Sequence, residues 1–181
     1  MADHIFITGG SRSGKSTIGE TLAQQYAGNR VAYVATAETL DGEMQERIDI
    51  HRRRRPKEWD THEEPLDIAS LLVSLDKRYP VILVDCITMW VSNLMFHGKD
   101  VMAQVAALQQ ALSAMDSRVI MVSGEVGWGL IGDNALSRQF ADHLGSINQA
   151  LAGSAADVYL AVSGLPVVLK RGGEVLAWPR K

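Results

Sequence analysis

The 181-residue chain has one cysteine, Cys86, which excludes any disulfide framework within it. A lone thiol inside an apolar run suits a reducing compartment, so a cytoplasmic location is expected. No stretch is long and apolar enough for a membrane span, and the start shows no charged region followed by an apolar one. A soluble, cytoplasmic protein without a membrane span is therefore expected. Charge of one sign is scarce too. Lys and Arg number 18 against 21 Asp and Glu, a formal net charge of −3, so the surface as a whole is no polyanion trap and no nucleic-acid partner is expected. No histidine stands at ligand spacing from cysteine or carboxylate, which argues against a zinc or iron site. Internal repeats and low-complexity linkers are absent, and the length fits one domain over 1–181 with a sizeable core.

What is present begins at residue 9. Gly9, Gly10, Ser11, Arg12, Ser13, Gly14, Lys15 and Ser16 fit the phosphate-loop pattern of a glycine, four residues, then Gly-Lys-Ser. The run before it, His4 to Thr8, is β-branched and aromatic and reads as a strand; the residues after it read as a helix. Unfinished N–H groups at a helix start, together with the helix dipole, favour an anion there. Glycines let the backbone approach phosphates without a Cβ in the way. Lys15 is then placed for the β- and γ-phosphates and Ser16 for Mg²⁺. The chain is expected to bind a nucleoside triphosphate.

The rest of the sequence alternates in the same manner. Apolar, β-rich runs predict strands over 5–8, 31–35, 81–87, 119–123 and 158–162, nearly continuous in apolar character as buried parallel strands are. Two further runs, 166–170 and 174–178, are separated by Arg171-Gly172-Gly173, a hairpin signal. Helices are predicted over 16–27, 42–55, 65–79, 88–97, 101–116 and 134–153. In the last, Leu136, Phe140, Leu144, Ile147 and Leu151 form one apolar stripe for a core or a partner. The expectation is an α/β fold: a mostly parallel sheet flanked by helices, with a C-terminal antiparallel hairpin. Ligands of such sheets sit at the carboxyl ends of the parallel strands.

Two segments add chemistry. Residues 81–85 form an apolar run ending in Asp85, which either stands near the Mg²⁺ of a phosphate-loop site or caps the next helix. Residues 41–56 place Asp41 and Glu43 at a helix start and Arg52, Arg53, Arg54 and Arg55 at its end, with Pro56 as the stop. That pattern describes a solvated helix, and four arginines without interleaved aromatics are a weak nucleic-acid signal. Within it lies His51. A histidine beside arginines resists protonation because like charges disfavour its cationic form. A neutral imidazole is a nucleophile, and arginines clamp phosphates, so covalent attack on phosphorus is open to it.

The segments 7–16, 33–37, 41–44 with Arg47, Ile48 and His51, then Arg55-Pro56, Trp59, Glu63, 85–88, Asn93-Leu94, 125–127, Gly129, Asn148-Gln149 and 162–164 occur in one order without large gaps. In these the chain resembles the bifunctional adenosylcobinamide kinase/adenosylcobinamide-phosphate guanylyltransferases of cobalamin biosynthesis, from residue 5 to about 170. The resemblance implies a P-loop NTPase-type, RecA-like fold and two reactions. Adenosylcobinamide, a corrinoid, is phosphorylated with ATP or GTP; GMP is then transferred from GTP to that phosphate, giving adenosylcobinamide-GDP and pyrophosphate. It implies that His51 carries a covalent GMP, with Lys15 also catalytic. Nucleotide contacts map to Gly9, Gly10, Ser11, Arg12, Ser13, Gly14, Lys15, Ser16, Ala35, Thr36, Ala37, Arg52 to Arg55, Glu63 and Asp85, and Mg²⁺ to Ser16 and Asp85. With the apolar stripe, it points to a homo-oligomer, a trimer, with subunit contacts near the active site. Departures from the family pattern are Asp85, where some relatives have Glu, a more basic 52–54 run, and the continuation through 172–181. A plain small-molecule kinase, or a nucleotide-dependent binding module gripping RNA with Arg52 to Arg55, are the competing readings. Trp59, Trp90 and Trp128 could cover a flat corrinoid or serve packing. His4 is expected at the surface, His62 in a polar loop near the site, His97 at a helix end and His143 at a helix border.

Overall fold

In a computed structural model the described residues are 3–38, 52, 55–129 and 132–176. They form one eight-stranded sheet. In chain order the elements are β1 (Ile5–Gly9), α1 (Lys15–Ala27), β2 (Val31–Ala35), β3 (Asp60–Glu63), α2 (Ile68–Leu75), β4 (Val81–Asp85), α3 (Ile87–Phe96), α4 (Val101–Ala114), β5 (Arg118–Val122), α5 (Ala135–Ser154), β6 (Asp157–Val162), β7 (Leu165–Arg171) and β8 (Glu174–Val175). Across the sheet the strands run β3-β2-β4-β5-β1-β6-β7-β8. The first six are parallel, and β7 and β8 are antiparallel.

The central strands are apolar throughout because both faces are covered. Along a strand, alternate side chains point to opposite faces. Ile5, Ile7, Tyr33, Leu83, Ile120 and Val122 pack with Ile18 and Ala23 of α1. Phe6, Val34, Ile82, Val84 and Met121 pack on the other face with Leu72, Trp90, Leu94, Leu108 and Ile147 from α2, α3, α4 and α5. Three of the helix starts, those of α2, α4 and α5, are fixed by side-chain caps: Asp67 accepts from Ser70 N–H, Asp100 from Ala103 N–H and Asn134 from Ser137 N–H.

Several expected boundaries move. The strand predicted over 81–87 stops at Asp85, because Cys86 N-caps α3 and Ile87 opens that helix. The helix predicted over 65–79 is confined to Ile68–Leu75: Asp67 caps its start, and Lys77 has a left-handed φ of 62° beyond its end. β3 was not predicted, since Asp-Thr-His-Glu is a polar, largely exposed edge strand. β7 also pairs with β6, through Ser163 and Gly164 at φ 52° and 83°. Positive φ at both central residues is the requirement of a type I′ hairpin turn. β8 follows across Gly172 and Gly173, as the Gly-Gly signal predicts. Of the helix expected over 42–55, Arg52 and Arg55 are described; the rest, with residues 177–178 of the last predicted strand, lies outside the described residues. His4 is buried, contrary to expectation: its Nε2 lies 2.7 Å from the Leu112 carbonyl oxygen and Val119 N–H donates to its Nδ1 at 3.1 Å. Burial lowers its pKa below 6.5, against the opposing pull of the Leu112 hydrogen bond.

Candidate active site

The phosphate loop links the end of β1 to the start of α1, and backbone geometry shapes it. Gly9 closes β1; a Cβ there would stand 2.6 Å from the Ala161 carbonyl oxygen. Gly14 N-caps α1 at φ +91°, and a Cβ on it would reach within 2.9 Å of Gly164 Cα. No side chain caps α1, so its first-turn N–H groups keep their capacity for an anion. Ser13 N–H donates to Gly10 O at 3.3 Å, Gly164 N–H to Ser13 O at 2.9 Å, and Lys15 Nζ to Gly10 O at 3.0 Å. Lys15 is thus folded over its own loop, where β- and γ-phosphates bind in proteins of this pattern.

The neighbouring strands deliver the second group of expected residues to the same edge. Ala35 ends β2, with Thr36 and Ala37 following; Asp85 ends β4 and Glu63 ends β3. In register, Ala35 is opposite both Glu63 and Asp85. Thr36 locks the junction: its Oγ1 accepts from Cys86 N–H at 2.8 Å and donates to Cys86 O at 2.7 Å. Asn93, buried in α3, donates to Thr36 O at 2.7 Å. The Tyr33 hydroxyl donates to Asp85 Oδ2 at 2.7 Å. Burial, reinforced by the Asp85 carboxylate, raises the Tyr33 phenol well above its usual range, which keeps it a donor. Asp85 does not cap α3: the cap is Cys86, without a side-chain bond.

Arg52 and Glu63, both expected at the nucleotide, pair with each other through Nη2 and Oε1. Arg55 stacks its guanidinium 3.7 Å from the centre of the Tyr33 ring, and its buried Nε and Nη1 take no acceptor among the described residues. Arg55, Tyr33 and Asp85 therefore form one chain of contacts. His51, Arg53 and Arg54 lie outside the described residues. No group of three or more His, Cys, Asp or Glu side chains among the described residues is placed to hold a metal ion by itself. The expected donors, the Ser16 hydroxyl and the Asp85 carboxylate, are hard oxygens, and that chemistry fits Mg²⁺ completed by phosphate and water oxygens.

No site residue is expected from the sequence just past β5, yet a polar network stands there. Glu125 N–H donates to Gly9 O at 2.9 Å, and Glu125 Oε1 accepts from Thr8 Oγ1 at 2.6 Å and Asn148 Nδ2 at 3.1 Å. The signal was its place among the family-like segments. Next to it opens a cleft of about 940 Å³ between the ends of α3 and α5, lined by Phe96, Val126, Gly127, Leu136, Arg138 and Phe140 among others. The stripe on α5 divides here: Leu144, Ile147 and Leu151 are in the core, while Phe140 is half-buried and Leu136 is 66% exposed. The tryptophans divide as well. Trp59 and Trp90 are buried and hydrogen-bonded to Gly28 O and Leu66 O, whereas Trp128 is 67% exposed. His97 caps the end of α3 and contacts Glu38; His62, on β3, meets Tyr79 edge-on.

The profile described as CobU, cobinamide kinase / cobinamide phosphate guanyltransferase, matches residues 5–169. The chain belongs to this family. It is 42% identical over 166 residues to the bifunctional adenosylcobalamin biosynthesis protein CobP of Pseudomonas aeruginosa, covering 91% of this chain and 95% of that one. To the bifunctional adenosylcobalamin biosynthesis protein CobU of Escherichia coli K12 it is 36% identical over 181 residues, covering 92% and 99%. Among solved structures, flagellar accessory protein FlaH from Methanocaldococcus jannaschii matches with a TM-score of 0.51 at 15% identity, over 94% of this chain and 79% of that one. This likeness shows the fold, the P-loop NTPase type expected from the sequence. This CobU-family chain is a transferase, and no helix among its described residues is long and apolar enough to cross a membrane.

Proposed function

We propose that the protein phosphorylates adenosylcobinamide with ATP or GTP and then transfers GMP from GTP to the new phosphate through a covalent GMP on His51. The products are adenosylcobinamide-GDP and pyrophosphate. The observation that carries this reading is the preformed phosphate loop, closed by Lys15 on Gly10 O, in a chain whose family profile spans residues 5–169.

In the kinase step the loop N–H groups and Lys15 hold the β- and γ-phosphates while the acceptor hydroxyl attacks the γ-phosphorus; the work is positioning and electrostatics. In the guanylyl step the His51 imidazole attacks the α-phosphorus of GTP and the bond to pyrophosphate breaks. The corrinoid phosphate then attacks the same phosphorus and the P–N bond breaks, returning His51. Two displacements replace one. The loop is suited to the departing pyrophosphate, and Arg52 to Arg55 supply cations for the α-phosphoryl oxygens. Ser16 and Asp85 would hold Mg²⁺, which when bound neutralises charge on the phosphates. Ala35, Thr36, Ala37 and Glu63 lie on the same edge and complete the nucleotide wall.

We assign the acceptor's ring to the apolar cleft next to Glu125, where Phe96 and Leu136 expose apolar surface. We also propose one domain, a cytoplasmic location, and a homo-oligomer, a trimer. The oligomer is supported by exposed apolar side chains along the antiparallel edge, Val162, Leu165, Val167, Leu169 and Val175.

The test is incubation of purified protein with adenosylcobinamide, Mg²⁺ and GTP, read by mass spectrometry. Successive appearance of the phosphorylated and GDP-linked corrinoid supports the reading. A phosphorylated corrinoid that never gains GMP would reduce the protein to a plain kinase, and an unchanged corrinoid would reject both steps.

A further inference from the structure

We propose that Glu125 is the general base of the kinase step, taking the proton from the acceptor hydroxyl, and that guanylyl transfer does not use it. The inference rests on the two-reaction reading above.

Glu125 stands just past the end of β5, the strand between β1, which leads into the phosphate loop, and β4, which ends in Asp85. Its backbone is bonded to Gly9, the first residue of the loop, at 2.9 Å. The two residues after it, Val126 and Gly127, wall the apolar cleft. The side chain therefore originates between the phosphates and the space open to an acceptor, where a base for phosphoryl transfer has to be.

The carboxylate is also held in one orientation. Thr8 Oγ1 and Asn148 Nδ2 both donate to Oε1, at 2.6 and 3.1 Å. Asn148 is buried, and it is fixed in turn by Ser123 Oγ donating to its Oδ1 at 2.6 Å and by its own Nδ2 donating to Gly124 O at 3.0 Å. Gly124 N–H donates to Thr88 Oγ1 at 2.6 Å. Among the described residues nothing donates to Oε2. One oxygen is anchored and the other is left for a proton.

The charge itself argues for a chemical role. No cation pairs with Glu125 among the described residues, and it sits against a loop built to receive a polyanion. Repulsion between carboxylate and triphosphate disfavours that placement. Bracing Thr8 and Asn148 requires only an acceptor oxygen, which a neutral glutamine amide also offers.

In the step, the acceptor O–H proton passes to Glu125 Oε2 as the oxygen forms its bond to the γ-phosphorus. The bond from the γ-phosphorus to the bridging oxygen breaks and the nucleoside diphosphate leaves. The carboxyl later returns its proton to water. The guanylyl step differs at the nucleophile: the corrinoid phosphate, largely ionised at neutral pH, carries no proton that must be removed.

The experiment compares wild type, Glu125→Gln and Glu125→Asp in two assays: adenosylcobinamide with nucleotide, and prepared adenosylcobinamide-phosphate with GTP. Loss of about 10²–10⁴-fold in kinase kcat for Glu125→Gln, at unchanged KM for nucleotide, is expected. Guanylyl transfer to the prepared phosphate stays near wild type, and Glu125→Asp recovers part of the kinase rate. Equal retention of both activities in Glu125→Gln overturns the inference. An equal loss of both, in a variant with wild-type thermal unfolding and nucleotide binding, also overturns it and makes Glu125 a brace. Should Glu125→Gln fail to fold, the ratio of the two activities in Glu125→Asp decides in the same way. A wild type that modifies neither corrinoid removes the two-reaction reading first, and this inference with it.

Discussion

On the phosphate side of the site, polar groups are already bonded to one another before any ligand arrives. Lys15 holds Gly10 O, Thr36 bridges both backbone groups of Cys86, and Tyr33 holds Asp85. On the cleft side, large apolar side chains remain in water: Phe96 is 70% exposed, Trp128 67% and Leu136 66%. Exposed clusters of this kind are uncommon on a surface without a partner. The contrast matches two kinds of ligand. Phosphate recognition demands fixed donors at hydrogen-bond distance, which only a rigid backbone supplies. A broad apolar ligand needs surface more than geometry, and its binding free energy comes from removing that surface from water.

Four tests bear on the contrast, in order of the largest effect each expects. Trp90 and Trp128 are the same residue type, one in the core and one exposed to water. Trp90→Ala, which empties core volume and orphans Leu66 O, lowers thermal stability by about 3–5 kcal/mol. Trp128→Ala changes stability by no more than about 0.5 kcal/mol in the same unfolding experiment. Next, Lys15→Ala lowers both corrinoid phosphorylation and guanylyl transfer by about 10²–10³-fold, about 2.7–4 kcal/mol, the outcome expected when one loop serves both reactions as proposed above. Loss of one activity alone would show that the two steps use different phosphate sites. Third, Phe96→Ala or Leu136→Ala weakens acceptor binding by about 1.5–3 kcal/mol, read as a tenfold or greater rise in acceptor KM with nucleotide KM unchanged. Equal rises in both constants would remove the cleft from acceptor binding.

The smallest effect tests the core beneath the site. His4 is held neutral between Leu112 O and Val119 N–H, and its native pKa is lowered from 6.5, chiefly by burial, with Asp3 and Arg118 as nearby charges acting in opposite senses. Below pH 6.5 the unfolded chain binds a proton that the native state resists. The contribution is whole above that pH and is lost as pH falls toward the native value, at no more than about 1.4 kcal/mol per unit. Replacing His4 with Gln should flatten the decline in stability between neutral and mildly acidic pH, as followed by denaturant unfolding.

The phosphate side was legible because its signal is local. Eight consecutive residues carry the loop, and the strands beside it are apolar on both faces, so pattern and packing agree. β3 escaped notice because an edge strand at a polar rim needs no apolar run, only backbone pairing with β2. The β6–β7 pairing was missed for a related reason: Ser163-Gly164 is a turn signal too short to stand out between runs read as separate strands. The tryptophans show the limit most plainly. Nothing local distinguishes Trp90, wholly buried on α3, from exposed Trp128; their environments are set by which helix faces which sheet. Glu125 was visible as a family-like residue, but its relation to Thr8, Gly9 and Asn148 depends on strand order, which sequence spacing does not encode.

The proposed chemistry turns on a covalent guanylyl intermediate on His51. It is tested most directly by incubating the protein with Mg²⁺ and GTP labelled at the α-phosphate, denaturing it, and measuring retained label beside His51→Ala. Label on the wild type that is labile to acid and stable to base, as a phosphoramidate is, and none on His51→Ala, is expected. Label that persists in the variant, or a wild type that binds GTP and retains no label, would contradict it.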